Sequence, residues 1–299
     1  LQVQEAHEGG EIMIGETYVL TWRELKKWLG RRGTFLVSLV TPLAWLALFG
    51  KSLNFATMFS ASAAQIALPP QLSQYAPYLQ QFIENYTKTV MTKYFGTTDY
   101  FSFLTTGMFV VFAFFQSVFG GVNIVFEKRL GSMNRLRMTP APRVSIFLAK
   151  MVATLVRIFF YETVLLLIAL ALGFSPRWSV AGFVTSGVAL AVLAVGFISL
   201  FEGIGFNVDN QEIMFSIVNL INLPLMFASP VIFPLKQMPS WLQDIARVNP
   251  LTYAVDIIRY NMLGLRTVNY LEAWGILVAV SAVLTLAGVL ASLRVLENY

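Results

Sequence analysis

Three ionisable residues stand inside long apolar runs of this sequence: Arg157, Glu162 and Glu202. A charge at the centre of a bilayer costs at least ~2.5 kcal/mol, so these positions are candidates for a gate or an intramembrane ion pair. If the runs are drawn as helices, Arg157 and Glu202 both fall toward the same inner half of a membrane and can pair. Such a pair either closes the inner end of a path or joins two neighbouring helices. Glu162 shares a run with Arg157.

Other chemistry has little to work with. The chain has no cysteine, which excludes disulfides and thiolate metal sites, and its one histidine, His7, sits in a polar N-terminal segment. Gly50-Lys51-Ser52 has the tail of a phosphate-binding loop, but the position five before Gly50 is Trp45 and an apolar run, not a strand, precedes it. Neither Gly-x-Ser-x-Gly nor His-Glu-x-x-His occurs. No catalytic, cofactor or metal site is expected in this chain.

The elements that must position the three charges are membrane helices. Of 299 residues, 57% are hydrophobic and 12% charged, against roughly 25% charged in soluble domains. A soluble protein of this length needs a charged surface, so lipid must be the solvent for much of it. The net charge of +5 could point to nucleic acid. The basic residues, however, form short clusters beside apolar runs, as cytoplasmic membrane flanks do.

The reading is an all-α integral membrane protein of six spans. They run over Thr34–Leu53, Tyr100–Phe126, Val144–Phe174, Ser179–Phe206, Ile213–Phe233 and Leu271–Leu293, each at or above the ~20 residues a crossing needs. Residues 1–33 are a cytoplasmic tail and an interfacial helix, and residues 34–299 are the membrane domain. Leu1–Gly15 reads as a flexible tail with no cleavable leader. In Glu16–Gly30, Tyr18, Trp22, Leu25 and Leu29 share a helical face, with Arg23, Lys26 and Lys27 around it. That pattern suits a helix lying in the headgroup layer; an amphipathic helix packed on protein has the same period. The basic clusters beside spans one to three place both termini in the cytoplasm of a cell (inner) membrane protein.

Two outer segments stand out. Residues 55–99 form a long loop, with some helix expected in Gln71–Phe95. Residues 234–269 are apolar but broken by Pro239, Asn249 and Pro250. Broken backbone at membrane depth survives only under protein or beside a cavity, so a re-entrant hairpin of short helices between spans five and six is expected. Pro230, Pro234, Pro239 and Pro250 give it hinges, and Trp241 and Tyr253 suit interface depth. Phe109, Phe112, Phe114, Phe115 and Phe119 of span two either line an apolar path or face lipid.

Between spans two and three lies a compact basic loop, residues 127–143, short enough to transmit rigid movement. A polytopic chain without a nucleotide motif needs a partner for active work. Gly131 permits a turn, Met133, Leu136 and Met138 could give a partner apolar contacts, and Arg129, Arg135 and Arg137 could pair with its acids. The same arginines also obey the positive-inside bias. Lys150 lies near enough to the interface to snorkel.

The stretch Leu223–Arg259, with Phe233-Pro234, Met238-Pro239, Trp241-Leu242 and Asn249-Pro250-Leu251-Thr252-Tyr253 followed by Asp256 and Arg259, closely resembles the signature at the end of ABC-2-type transporter permeases. These are the family of daunorubicin-resistance and related exporters. A second likeness is Phe126–Leu136 with Thr139-Pro140 and Lys150 downstream; here Asn134 stands where the family usually has glutamate. With the six spans, the resemblance covers nearly the whole chain.

The resemblance implies a half-permease that dimerises with a second copy or paralogue and binds two cytoplasmic ATPase subunits, which would hold the ATP and Mg. Glu127, Lys128, Arg129, Gly131, Met133, Arg135, Leu136 and Arg137 would form the coupling segment that docks on the ATPase. Pro230, Pro234, Pro239, Trp241, Asn249, Pro250, Tyr253, Asp256 and Arg259 would shape the outer exit. The substrate implied is an amphipathic drug-like molecule or a lipid. A lipid-linked glycan exporter is the alternative within transport; from another class, a membrane receptor or scaffold remains open.

Overall fold

A computed structural model of the chain describes residues 2–30, 33, 40, 43–44, 75–138, 142–266 and 268–297. The expected first span, Thr34–Leu53, and residues 55–74 of the outer loop lie outside the described residues, isolated positions apart. Every described element is helical: α1 (Gln2–Leu29), α2 (Ala76–Phe95), α3 (Tyr100–Arg129), α4 (Ser132–Arg137), α5 (Arg143–Ala171), α6 (Val180–Asn207), α7 (Gln211–Phe227), a 3-10 turn (Leu235–Gln237), α8 (Ser240–Val248), α9 (Pro250–Leu263) and α10 (Tyr270–Glu297). Four stretches are long and apolar enough to cross a membrane: Ala76–Arg129, which contains α2 and α3, then Arg143–Ala171, Val180–Asn207 and Tyr270–Arg294. α7 is apolar but shorter, at 17 residues.

α6 is the centre of the bundle, packed against α10, α3, α9 and α5. Lipid tails are as apolar as leucine, so helices in a bilayer associate by close packing of small residues. Two glycines bring the backbones together. A Cβ on Gly121 of α3 would collide with the carbonyl oxygen of Phe201, and one on Gly288 of α10 with that of Ser199. Around these contacts Phe114 stacks edge-on against Phe197, with ring centroids 4.7 Å apart.

Phe109, Phe112 and Phe114 are buried in this core, and so neither face lipid nor line an open path. Of the five phenylalanines singled out in span two, Phe119 alone is exposed. α1 also departs from expectation, being helical from Gln2, well before Glu16. Its later turns lie on α5, where Thr21 donates to the Ala149 carbonyl at 3.4 Å and Trp28 Nε1 to the Tyr161 hydroxyl at 3.0 Å. The opposite side keeps Ile14, Tyr18, Trp22 and Leu29 exposed. One face is thus packed on protein while the other is a bare apolar stripe.

Candidate functional site

The chain's ionisable residues converge where α3 ends. Asp99 caps the start of α3 by accepting from the Ser102 amide at 3.2 Å. Thirty residues later the helix finishes in Glu127-Lys128-Arg129 and turns at Gly131, whose φ of +68° is left-handed, a region glycine enters without a Cβ penalty. α4 follows at once.

Each charge at this root has a partner in the chain. Glu127 is clamped between Lys27 of α1, at 3.3 Å, and Lys150 of α5. Lys27 also meets Glu24 at 3.1 Å, and Lys150 lies 3.9 Å from Glu24. Lys128 pairs with Asp209 and donates to the carbonyls of Phe206 and Val208, both at 2.9 Å, at the end of α6. Arg129 donates to Gln211 of α7 at 3.0 Å. Lys150 is buried and bridged, so it does not snorkel. A solvent-exposed pair such as Lys88–Glu84 adds little, because water screens it; breaking a buried one costs about 3–5 kcal/mol. Glu127 and Lys128 therefore brace the end of α3 on α1, α5 and α6.

α4 divides the coupling residues. Met133 and Leu136 are buried with Ile124, Phe147 and Phe206 in a small core of their own. This corrects the expectation that they contact a partner, because the apolar side of this short helix is needed to seat it. Leu130, Arg135 and Met138 stay exposed, Met138 at 89% and Leu130 at 73%. The side chain of Arg137 lies outside the described residues.

The expected ion pair between Arg157 and Glu202 is not formed. Arg157 donates to the Ala153 carbonyl at 3.1 Å and to Thr154 Oγ1 at 3.0 Å, both on its own helix. Glu202 is fully buried, and its oxygens accept no hydrogen bond among the described residues. The two nevertheless line one cavity of about 100 Å³, together with Glu24, Lys27, Trp28, Glu127, Lys150 and Thr154. Glu162 is buried elsewhere on α5 and does not line this cavity. Sequence reasoning missed Glu24, Lys27 and Trp28. Glu24 and Lys27 stand three apart on one helical face, which was visible, but nothing local says that this face meets α3 and α5.

At the far end of the bundle the broken segment is a set of joints. The Asn249 side chain accepts from the Leu251 amide at 3.0 Å, capping α9, and donates to the carbonyls of Leu225 (2.7 Å) and Ala228 (2.9 Å) at the end of α7. Pro250 opens α9, where its missing N–H is no loss. Thr252 donates to the Ala246 carbonyl at 2.7 Å and Tyr253 to that of Arg247, closing the end of α8.

Arg259 is buried and gathers three carbonyls, Pro230 at 2.6 Å, Val231 at 2.9 Å and Phe103 at 3.2 Å, with its guanidinium 3.5 Å above the Phe103 ring. Carbonyls freed where α7 stops are thereby satisfied inside the protein. Pro234 is buried before the 3-10 turn and Pro239 precedes α8. Trp241, Ile245 and Val248 leave an exposed apolar face on α8. Asp256 is buried on α9, beside Tyr260 and Tyr270.

A sequence profile described as ABC-2 type transporter matches residues 15–263. Among similar proteins, one named a transport permease, ycf38 of Porphyra purpurea, is 26% identical over 255 residues, covering 84% of this chain and 72% of that protein. "Probable multidrug ABC transporter permease YbhR" of Escherichia coli (strain K12) is 24% identical over 216 residues, covering 67% of this chain and 56% of that protein. "Daunorubicin resistance ABC transporter permease protein DrrB1" of Streptomyces coeruleorubidus is 23% identical over 203 residues, covering 68% and 71%.

Proposed function

The chain belongs to the ABC-2 type transporter family, and from that premise we propose that it is the permease subunit of an ATP-driven exporter of amphipathic molecules. The observation that carries the coupling part is α4. Its Met133 and Leu136 are locked in the chain's own core while Leu130, Arg135 and Met138 are presented outward. A six-residue helix held this way moves as one body with α3 and α5. An ATPase subunit docked on its outer face can push on the bundle without a loose tether between them.

The remainder of the reading follows. Six spans, with both termini inside, put α4 and the ion-paired root of α3 in the cytoplasm. The exposed stripe of α1, Tyr18, Trp22 and Leu29, then lies in the inner headgroup layer. α8 and α9 enter from the outer side as a re-entrant hairpin, with the apolar face of α8 at the outer interface. Two ATPase subunits, which bind the ATP and Mg, serve two permease copies. The face of α7 carrying Leu220, Leu223 and Phe227 is exposed and has room for the second. The drug-resistance names of YbhR and DrrB1 support a drug-like amphiphile as cargo.

The test is flux. Inside-out vesicles holding this chain and its ATPase should accumulate a fluorescent amphipathic dye when ATP is added, and should stop when a Met138→Glu, Arg135→Glu variant replaces the wild type. Equal accumulation with and without ATP contradicts the exporter reading.

A further inference from the structure

We propose that the cavity between α1, α3, α5 and α6 binds the zwitterionic headgroup of an amphiphile, the cationic group on Glu202 and the anionic group on Arg157. The inference rests on the permease reading for its use in transport, though not for the binding itself.

Six ionisable side chains line this cavity of about 100 Å³: Glu24, Glu127 and Glu202 against Lys27, Lys150 and Arg157. Four of them satisfy one another through the Glu24–Lys27–Glu127–Lys150 network. Two remain. Glu202 has no exposed surface, and neither of its oxygens has a hydrogen-bond partner among the described residues. Arg157 commits Nε and one terminal nitrogen to Ala153 and Thr154 on its own helix, and its Nη1 makes no hydrogen bond among the described residues.

A buried carboxylate without a donor is costly, and the nearby lysine amines are already engaged. A ligand cation entering the cavity would supply the missing donor. Three acids stand against three bases, so a ligand with a net charge would leave one side uncompensated. A neutral ligand with separated charges leaves neither.

The shape agrees. Gly120 faces the cavity, and a Cβ there would lie 3.4 Å from Thr154 and 3.5 Å from Glu202 Oε1, so the absent side chain keeps the space between them open. The volume suits a headgroup and excludes a chain. Beside it, Phe119, Phe126 and Leu130 are exposed on one face of α3, seven and eleven residues apart. This gives a hydrocarbon tail an apolar strip leading out of the cavity.

The experiment uses the purified chain in an uncharged maltoside detergent, with three probes of equal chain length: dodecylphosphoethanolamine and dodecylammonium, whose N–H groups can donate to Glu202, and dodecyl phosphate. The zwitterion should bind saturably and about tenfold more tightly than either probe whose headgroup carries charge of one sign only, the worth of one charge-assisted hydrogen bond. Glu202→Gln should weaken zwitterion and cation by about tenfold and spare the phosphate; Arg157→Gln should weaken zwitterion and phosphate and spare the cation. Gly120→Val, whose methyls enter the cavity, should abolish zwitterion binding, with a cooperative thermal unfolding transition showing that the chain still folds. This variant keeps the site testable should a charge variant fail to fold.

Equal affinity for the three probes, or zwitterion binding indifferent to Glu202→Gln and Gly120→Val, overturns the proposal. Binding is read without ATP or ATPase, so its failure is distinct from a failure of flux. A headgroup from the surrounding bilayer and one in transit share this chemistry; release of bound probe on adding ATP and the ATPase marks the second.

Discussion

Lys27 of α1 reaches Glu127 at the end of α3, with 3.3 Å between Nζ and Oε1, and Glu127 holds Lys150 of α5 with its other oxygen. One carboxylate therefore ties the N-terminal helix to two long helices, immediately before the turn into α4. Whatever moves α4 moves this joint.

The two cations are not equivalent. Lys150 is 8% exposed at its side chain and Lys27 32%. Glu127→Gln strands a buried ammonium and should destabilise by about 3 kcal/mol, the lower end for a broken buried pair because Glu24 remains near. Lys27→Gln should cost about 1 kcal/mol or less. Unfolding in bicelles, followed by tryptophan fluorescence, checks the order; equal losses would mean that Glu127 does not depend on Lys150.

Asn249 carries three hydrogen bonds at the joint between α7, α8 and α9. Asn249→Ala should cost about 2–4 kcal/mol, from a lost helix cap and two buried carbonyls left bare. Asn249→Asp keeps the acceptor for the Leu251 amide but turns an anion toward the carbonyls of Leu225 and Ala228, so it should not rescue. Wild-type stability in Asn249→Asp would show that only the cap matters.

Adjacent glycines of α3 should respond oppositely. A Cβ on Gly121 would collide with the Phe201 backbone, whereas one on Gly120 meets only side-chain atoms, at 3.4 Å and beyond. Gly121→Ala should force α3 and α6 apart and cost at least about 3 kcal/mol. Gly120→Ala should be neutral or stabilise by up to about 1 kcal/mol. Similar melting temperatures for the two variants would count against this helix register.

These cases separate what the residues alone reveal from what they cannot. The break at Asn249-Pro250 is legible because capping and a missing amide are local chemistry, and α8 and α9 meet there. The long apolar helices are legible from length and hydropathy. The inward face of α4 is not, since six residues carry too little period to say that Met133 and Leu136 serve the chain's own core. Arg157 and Glu202 were legible as a pair of interest, but their pairing depends on helix rotation, which puts the guanidinium on Thr154 instead. The contacts of Gly121 and Gly288 belong to the partner helices, and no local signal specifies them.

The absence of cysteine makes the second permease copy directly testable. A single Leu220→Cys or Leu223→Cys on the exposed face of α7 should give a disulfide-linked dimer on mild oxidation, since we propose that face as the seat of a second copy. Val184→Cys, exposed on α6, should not. A disulfide needs Cα atoms within about 7 Å, so linkage at Val184 and none on α7 would relocate the dimer contact.

The central claim is that the outer face of α4 docks an ATPase, and co-purification from native membranes in mild detergent tests it most directly. Wild-type protein should bring down a subunit that mass spectrometry identifies by its phosphate-binding loop. Arg135→Glu with Met138→Glu should lose that subunit while keeping normal yield and melting temperature. Recovery of no ATPase by wild type, or its undiminished recovery by the double variant, would contradict the account.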